Sequence, residues 1–249
     1  MELTLKNVSK KFDDKVILNE VNYTFEKGKI YGLLGKNGAG KTTLFNCISQ
    51  NMMVDSGEVM LSENASYSST EIGYVYATPH LPAFMTGYEF VKYFLEIHKN
   101  MIKDPKDPIA YLTMVGIEEA DCHKLMRDYS HGMQNKVQML TSLMTTPPVL
   151  LLDEPLTSFD VVASHEMKKL LLSIKPETII IFSTHILSLA QDLCDEIVLL
   201  HNGDIRGIDE ADYNSPDFEE QLIKILSDNA IEGNANAIAG NAFVVGGDL

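Results

Sequence analysis

The sequence predicts an α/β fold: a parallel sheet built around a phosphate-binding loop, with a small antiparallel β layer beside it and a helical subdomain. Three observations carry this. The stretch Gly35-Lys36-Asn37-Gly38-Ala39-Gly40-Lys41-Thr42-Thr43 fits the pattern G-x-x-x-x-G-K-[ST] and lies between an apolar run, Ile30 to Leu34, and a helical pattern, Thr43 to Ile48. Two further apolar runs, Val149 to Leu152 and Thr178 to Phe182, read as strands buried on both faces. Between these groups, from Ala77 to Asp128, strand patterning gives way to helical periodicity.

The elements follow in order. Leu3, Leu5 and Val8 indicate a first strand and Val16 to Phe25 a second, turning at Glu26-Lys27-Gly28 into the strand that feeds the loop. Phe12 falls in the turn between the first two, as a platform for a planar base or as an aromatic covering the core edge. In the loop, glycines let the backbone curl so that amide N–H groups and the positive end of the next helix converge on phosphate oxygens. Lys41 adds a charge for the β- and γ-phosphates, and the Thr42 hydroxyl is placed to ligate Mg2+. A glycine-rich turn that binds nothing would not need Lys-Thr at this offset, nor a strand and a helix on either side.

Asp55-Ser56-Gly57-Glu58 reads as a turn, Val59 to Leu61 as a short strand and Ile72 to Tyr76 as another. Gly87 to Lys99 places Phe90, Tyr93, Phe94 and Ile97 on one helical face, and Pro108 to Val115 continues the helical region. Leu81-Pro82-Ala83-Phe84-Met85 is apolar without helical period, which suits either a partner surface or packing of the insertion on the core. Val149 to Leu152 ends in Asp153 and Glu154, where a central parallel strand meets a ligand crevice. Asp153 is positioned to hold Mg2+ through water and Glu154 to polarise an attacking water, although two carboxylates before Pro155 also suit a turn. Thr178 to Phe182 delivers Ser183-Thr184-His185 to the same edge, making His185 a candidate γ-phosphate sensor. The other histidines show no metal-ligand spacing. Glu196 to His201 and Asp204 to Gly207 form a hairpin around Asn202-Gly203, Phe218 to Leu226 a short amphipathic helix, and residues 227–249 a flexible tail.

Composition narrows the partners. Among 249 residues, 35 acidic against 20 basic give a net charge of -15, which opposes attraction to nucleic-acid phosphates or anionic lipid. Three scattered cysteines without a C-x-x-C suggest neither a disulfide framework nor a zinc site, and point to a reducing cytoplasm. No apolar run approaches the ~18 residues of a membrane span.

Over roughly residues 2–210 these motifs, in this order, resemble the ATP-binding cassette (ABC) ATPases, the nucleotide-binding domains of ABC transporters. Gly35 to Thr43 resembles Walker A, including Asn37, Gly38, Ala39 and Gly40, and Leu150 to Asp153 with Glu154 resembles Walker B and its catalytic glutamate. Phe12 resembles the A-loop aromatic that stacks on adenine, Ser158-Phe159-Asp160 the D-loop and His185 the switch histidine. Tyr129-Ser130-His131-Gly132-Met133 matches the position of the family signature that precedes a helix, here His131 to Thr145.

The resemblance implies an ABC ATPase domain over residues 1–226, with the helical subdomain at about 77–128. It implies ATP and Mg2+, hydrolysis of ATP, and a homodimer in which Ser130 and the amides around Gly132 cap the γ-phosphate on the partner's Walker A. Separately encoded integral membrane subunits would be driven, with export favoured, from a peripheral position on the inner face of the cell membrane. Two positions depart from the pattern. His131 replaces the first signature glycine, and Ala77 stands where the Q-loop glutamine belongs, with Thr78 and His80 as the nearby polar substitutes. These departures motivate a second reading, a nucleotide-operated binding switch with little turnover. A soluble ABC protein acting on nucleic acid or ribosomes is a third, against which stand the acidic balance and the lack of a second cassette or long coiled-coil insertion.

Overall fold

The computed structural model describes residues 1–62, 67–102, 104–155, 161–208 and 222, and for 161–163 the backbone alone. β1 (Glu2–Phe12) pairs antiparallel with β2 (Lys15–Glu26) on one side and β4 (Ser56–Leu61) on the other, giving the order β2-β1-β4. The second sheet has the order β5-β6-β7-β3-β8-β9, built from β3 (Ile30–Leu34), β5 (Ile72–Val75), β6 (Val149–Asp153), β7 (Ile179–Thr184), β8 (Glu196–His201) and β9 (Asp204–Ile208). Its pairs are parallel except β8 with β9.

Alternation along the central strands divides the core. Val149 and Leu151 of β6, with Ile179 and Ile181 of β7, face α1 (Lys41–Ile48) and the antiparallel sheet, packing with Leu44, Phe45, Phe25 and Leu3. Leu150 and Leu152, with Ile180 and Phe182, face the other way onto α2 (Gly87–Ile97), α3 (Pro108–Met114), α4 (His131–Thr145) and α5 (Val161–Ile174). Strands covered on both faces need apolar residues at every position, which is why these runs are uninterrupted. The same alternation puts Asp153 on the α1 side, together with Val149 and Leu151.

The helical region begins with a full capping box. The Thr86 hydroxyl accepts from Glu89 N at 3.1 Å and the Glu89 carboxylate accepts from Thr86 N at 2.9 Å. These bonds hold the Glu89 carboxyl below its ordinary range. α4 starts at an N-cap serine, Ser130, whose hydroxyl accepts from Met133 N at 3.2 Å.

Several expectations are corrected. Ser56 to Glu58 is strand and not turn, because β4 pairs with β1 from Ser56 onward. On α2 the fully buried position is Val91; Phe90 and Phe94 pack inward while Tyr93 and Ile97 are more than half exposed. The helix turns its apolar side about one position away from the expected face because Val91 fills the centre of the contact. The run Leu81 to Met85 splits: Leu81 and Met85 pack on the core and Phe84 alone is 80% exposed. α5 and α6 (Leu187–Leu193) were not anticipated. The β8–β9 hairpin forms as expected, with Asn202 and Gly203 both at positive φ, and Asn19 N of β2 donates to Gly203 O at 2.8 Å. Along the outer strand β9, Asp204 and Arg206 form an exposed ion pair, and the strand lies beside β2. The helix expected at 218–226, apart from Leu222, and the tail at 227–249 lie outside the described residues.

Candidate functional site

Four elements end at one edge: β3 into the phosphate loop, α1 out of it, β6 at Asp153 and β7 at Thr184. The loop's conformation demands its glycines. Gly38 and Gly40 have φ of 81° and 108°, and a Cβ on Gly40 would come 2.8 Å from Cγ2 of Ile17. Gly35 adjoins Leu200 O so closely that a Cβ would come within 2.7 Å of it. Lys36, Asn37 and Gly38 are exposed and Ala39 partly so, leaving their amides at the surface of the curl, while Thr43 continues α1.

Lys41 folds back under the loop: its Nζ donates to Gly35 O at 2.7 Å and to Lys36 O at 3.1 Å. Burial pushes the ammonium below its ordinary value, and the charges of Glu154 and Asp153 oppose that shift. Thr42 is exposed, yet its hydroxyl donates to Asp153 Oδ2 at 2.8 Å. Asp153, 5% exposed, accepts through its other oxygen from the Ser183 hydroxyl at 2.5 Å. The parallel register sets Asp153 opposite Ser183, so β7 braces the carboxylate that β6 presents.

Glu154 leaves the strand with φ of 49°, a left-handed conformation that a non-glycine residue holds only when its surroundings enforce it. Its N–H supplies that enforcement, bonding to Ser183 O and Ser183 Oγ, each at 3.2 Å. The turned backbone sends the carboxylate to His185, whose Nδ1 lies 3.2 Å from Glu154 Oε1. Thr42, Asp153, Glu154 and His185 are therefore brought together, with Lys41 beside them.

Other expected residues sit apart. Phe12 ends β1, 45% exposed, with Lys10 Nζ 5.8 Å from the ring centroid. Lys10 is held there by Asp55, whose carboxylate also accepts from Lys11 N. Ser130 and Gly132 open α4, and among the described residues no hydrogen bond ties either to the phosphate loop. Ala77, Thr78 and His80 are exposed after β5. Ser158, Phe159 and Asp160 lie outside the described residues. Sequence reasoning brought Ser183 to this edge but gave it no role, the only signal being its place two residues before His185 on a buried strand. It missed Gln138, a buried amide of α4.

The donor set at this edge fits Mg2+. A hydroxyl and a carboxylate are hard oxygen ligands, and Mg2+ takes few protein ligands when phosphates and waters complete its shell. No group of three or more His, Cys, Asp or Glu that could hold another metal occurs among the described residues.

The sequence model of the family described as ABC transporter matches residues 18–157, more than half the chain and the span from β2 through Asp153 and Glu154. The chain belongs to the ABC transporter family. This ABC chain is 31% identical over 205 residues to the bacitracin transport ATP-binding protein BcrA of Enterococcus faecalis, across 80% of its own length and 66% of that relative. It is 30% identical over 225 residues to the lantibiotic transport ATP-binding protein SrtF of Streptococcus pyogenes, across 88% of itself and 95% of SrtF. Its fold matches a dimeric ATP-binding cassette in a post-hydrolysis state bound to ADP and Pi, with TM-score 0.70 and 24% identity, covering 83% of this chain and 97% of that one. Among the described residues of the ABC chain, no helix is long and apolar enough to cross a membrane.

Proposed function

We propose that this chain hydrolyses MgATP and delivers the energy to separately encoded membrane subunits, as the ATP-binding component of a transporter. The observation that carries the reading is the Thr42–Asp153–Ser183 set beside Glu154 and His185, at the mouth of a loop whose amides suit phosphates. In this arrangement the exposed loop amides and Lys41 bind the β- and γ-phosphates. Thr42 and Asp153 hold Mg2+, which when bound neutralises charge on the phosphate oxygens. Glu154 accepts a proton from the attacking water, and His185 fixes the Glu154 carboxylate while reaching toward the γ-phosphate. Phe12 stacks on adenine at the open end of β1.

Two copies would associate so that Ser130, with the amides around Gly132, completes the partner's γ-phosphate site; a dimeric cassette of similar fold supports pairing of two copies. The transport names of BcrA and SrtF support membrane partners; export, powered from the inner face of the membrane, is the direction we favour. The domain would span residues 1–226, with the helical part at 77–128 and a tail beyond. Phosphate release from the purified chain tests the reading: turnover should require Mg2+, and Lys41→Ala should weaken ATP binding by calorimetry. An unchanged affinity in that variant would remove the loop from the site.

A further inference from the structure

The loop after β5 lacks the polar side chain that the resemblance calls for at Ala77, yet the residue before it is held with unusual care. β5 runs parallel to β6 with Val75 opposite Leu152, so Tyr76 follows beside the Asp153 position. Its carbonyl accepts from the Gln138 amide of α4 at 2.9 Å. Gln138 is only 7% exposed, and burying its amide costs free energy unless the amide is hydrogen-bonded. The phenol of Tyr76 accepts at 3.0 Å from the Asn51 amide, which stands just past α1. Its ring stacks on Tyr74 at 4.1 Å, and the ring of His80 meets its edge at 5.3 Å. Tyr74 in turn packs against Phe45 of α1.

Tyr76 thus touches Asn51, just past the helix that follows the phosphate loop, the helix that opens at Ser130, and the exposed segment carrying Thr78 and His80. We propose that Tyr76 is a positioning residue, pinned by Gln138 and Asn51, that fixes residues 77–80 at the β5 edge of the site and so aims His80. Gln138 and Asn51 act through Tyr76 and not on nucleotide. This rests on the ATPase reading above, and it places part of the work of the absent Q-loop side chain on the main chain of its neighbour.

The test uses the full chain with Gln138→Met, which keeps the side chain's length and removes its donor, Asn51→Ala, Tyr76→Phe and the Gln138→Met/Asn51→Ala pair. Each single change should lower kcat about three- to tenfold with ATP affinity within about twofold, and the pair should fall no further than its worse member, because both act on one residue. Tyr76→Phe should match Asn51→Ala, since each removes the same hydrogen bond; these two milder changes decide the matter if Gln138→Met does not fold. Unchanged kcat with lowered melting temperature, or effects that multiply in the pair, would overturn the proposal. A parent chain that binds ATP without turnover would defeat the ATPase reading instead. The His80 ring resonances then decide this one: a shift in Gln138→Met and Asn51→Ala supports it, and resonances equal to the parent's overturn it.

Discussion

At the residue scale the site is organised by what each oxygen already touches. In the proposed mechanism Glu154 acts through its charge more than its shape, so Glu154→Gln should keep ATP affinity and lower turnover about a hundredfold or more. Turnover at the parent rate would assign the base elsewhere. Lys41 gives a pH dependence with a defined sign. Burial lowers its proton affinity in the free chain, and a bound polyphosphate favours the protonated form, so ATP affinity should fall as pH rises through a range below the ordinary lysine value. Calorimetry between about pH 7 and about pH 10 checks it, a flat profile counting against the placement. At Ala77 the contrast is between a vacancy and a substitute. If the missing amide has no stand-in, Ala77→Gln should raise kcat; if His80 serves, His80→Ala should lower kcat without loosening ATP.

At the element scale, the stability of the helical region comes from α3 lying between α2 and α4. Leu112 of α3 is fully buried in that contact. Leu112→Ala should cost about 2–5 kcal/mol by chemical denaturation, and the cap variant Thr86→Ala about 1 kcal/mol. Legibility in the sequence follows the same line. β3 and β6 were readable because strands buried on both faces leave uninterrupted apolar runs, and α4 was placed by its resemblance to the helix after the family signature. α5 and α6 were not, since each follows a strand end whose interest lay in its chemistry, and their apolar residues carry no strong start signal. Asp153, Glu154 and His185 could be read because they stand at strand ends in a fixed order. Ser183 and Gln138 could not, because their importance lies in contacts between distant segments, from β7 to β6 and from α4 to Tyr76 just past β5, which a linear pattern does not express.

At the scale of the whole molecule, the two surfaces that matter are the edge bearing the loop and the flank bearing Phe84. Phe84, 80% exposed on a run whose Leu81 and Met85 pack on the core, is the position we expect a membrane subunit to cover. Phe84→Asp should leave the isolated chain folded and its phosphate release intact while releasing it from membranes that carry its partner; retained co-sedimentation would move the contact elsewhere.

The charged outer strand β9 limits how copies of this chain can meet. An open sheet invites a neighbour to extend it by backbone hydrogen bonding, and short strands with outward charges discourage this. Here one rim of the large sheet is β9, five residues long with the Asp204–Arg206 pair on its surface and β2 lying against it. The opposite rim, β5, is four residues long, with α4 packed on it and Gln138 reaching past its end. Lateral growth into a continuous ribbon is therefore disfavoured at both rims. Under the dimer proposed above, contact at the loop edge would be made and broken with each nucleotide without any strand having to be peeled away.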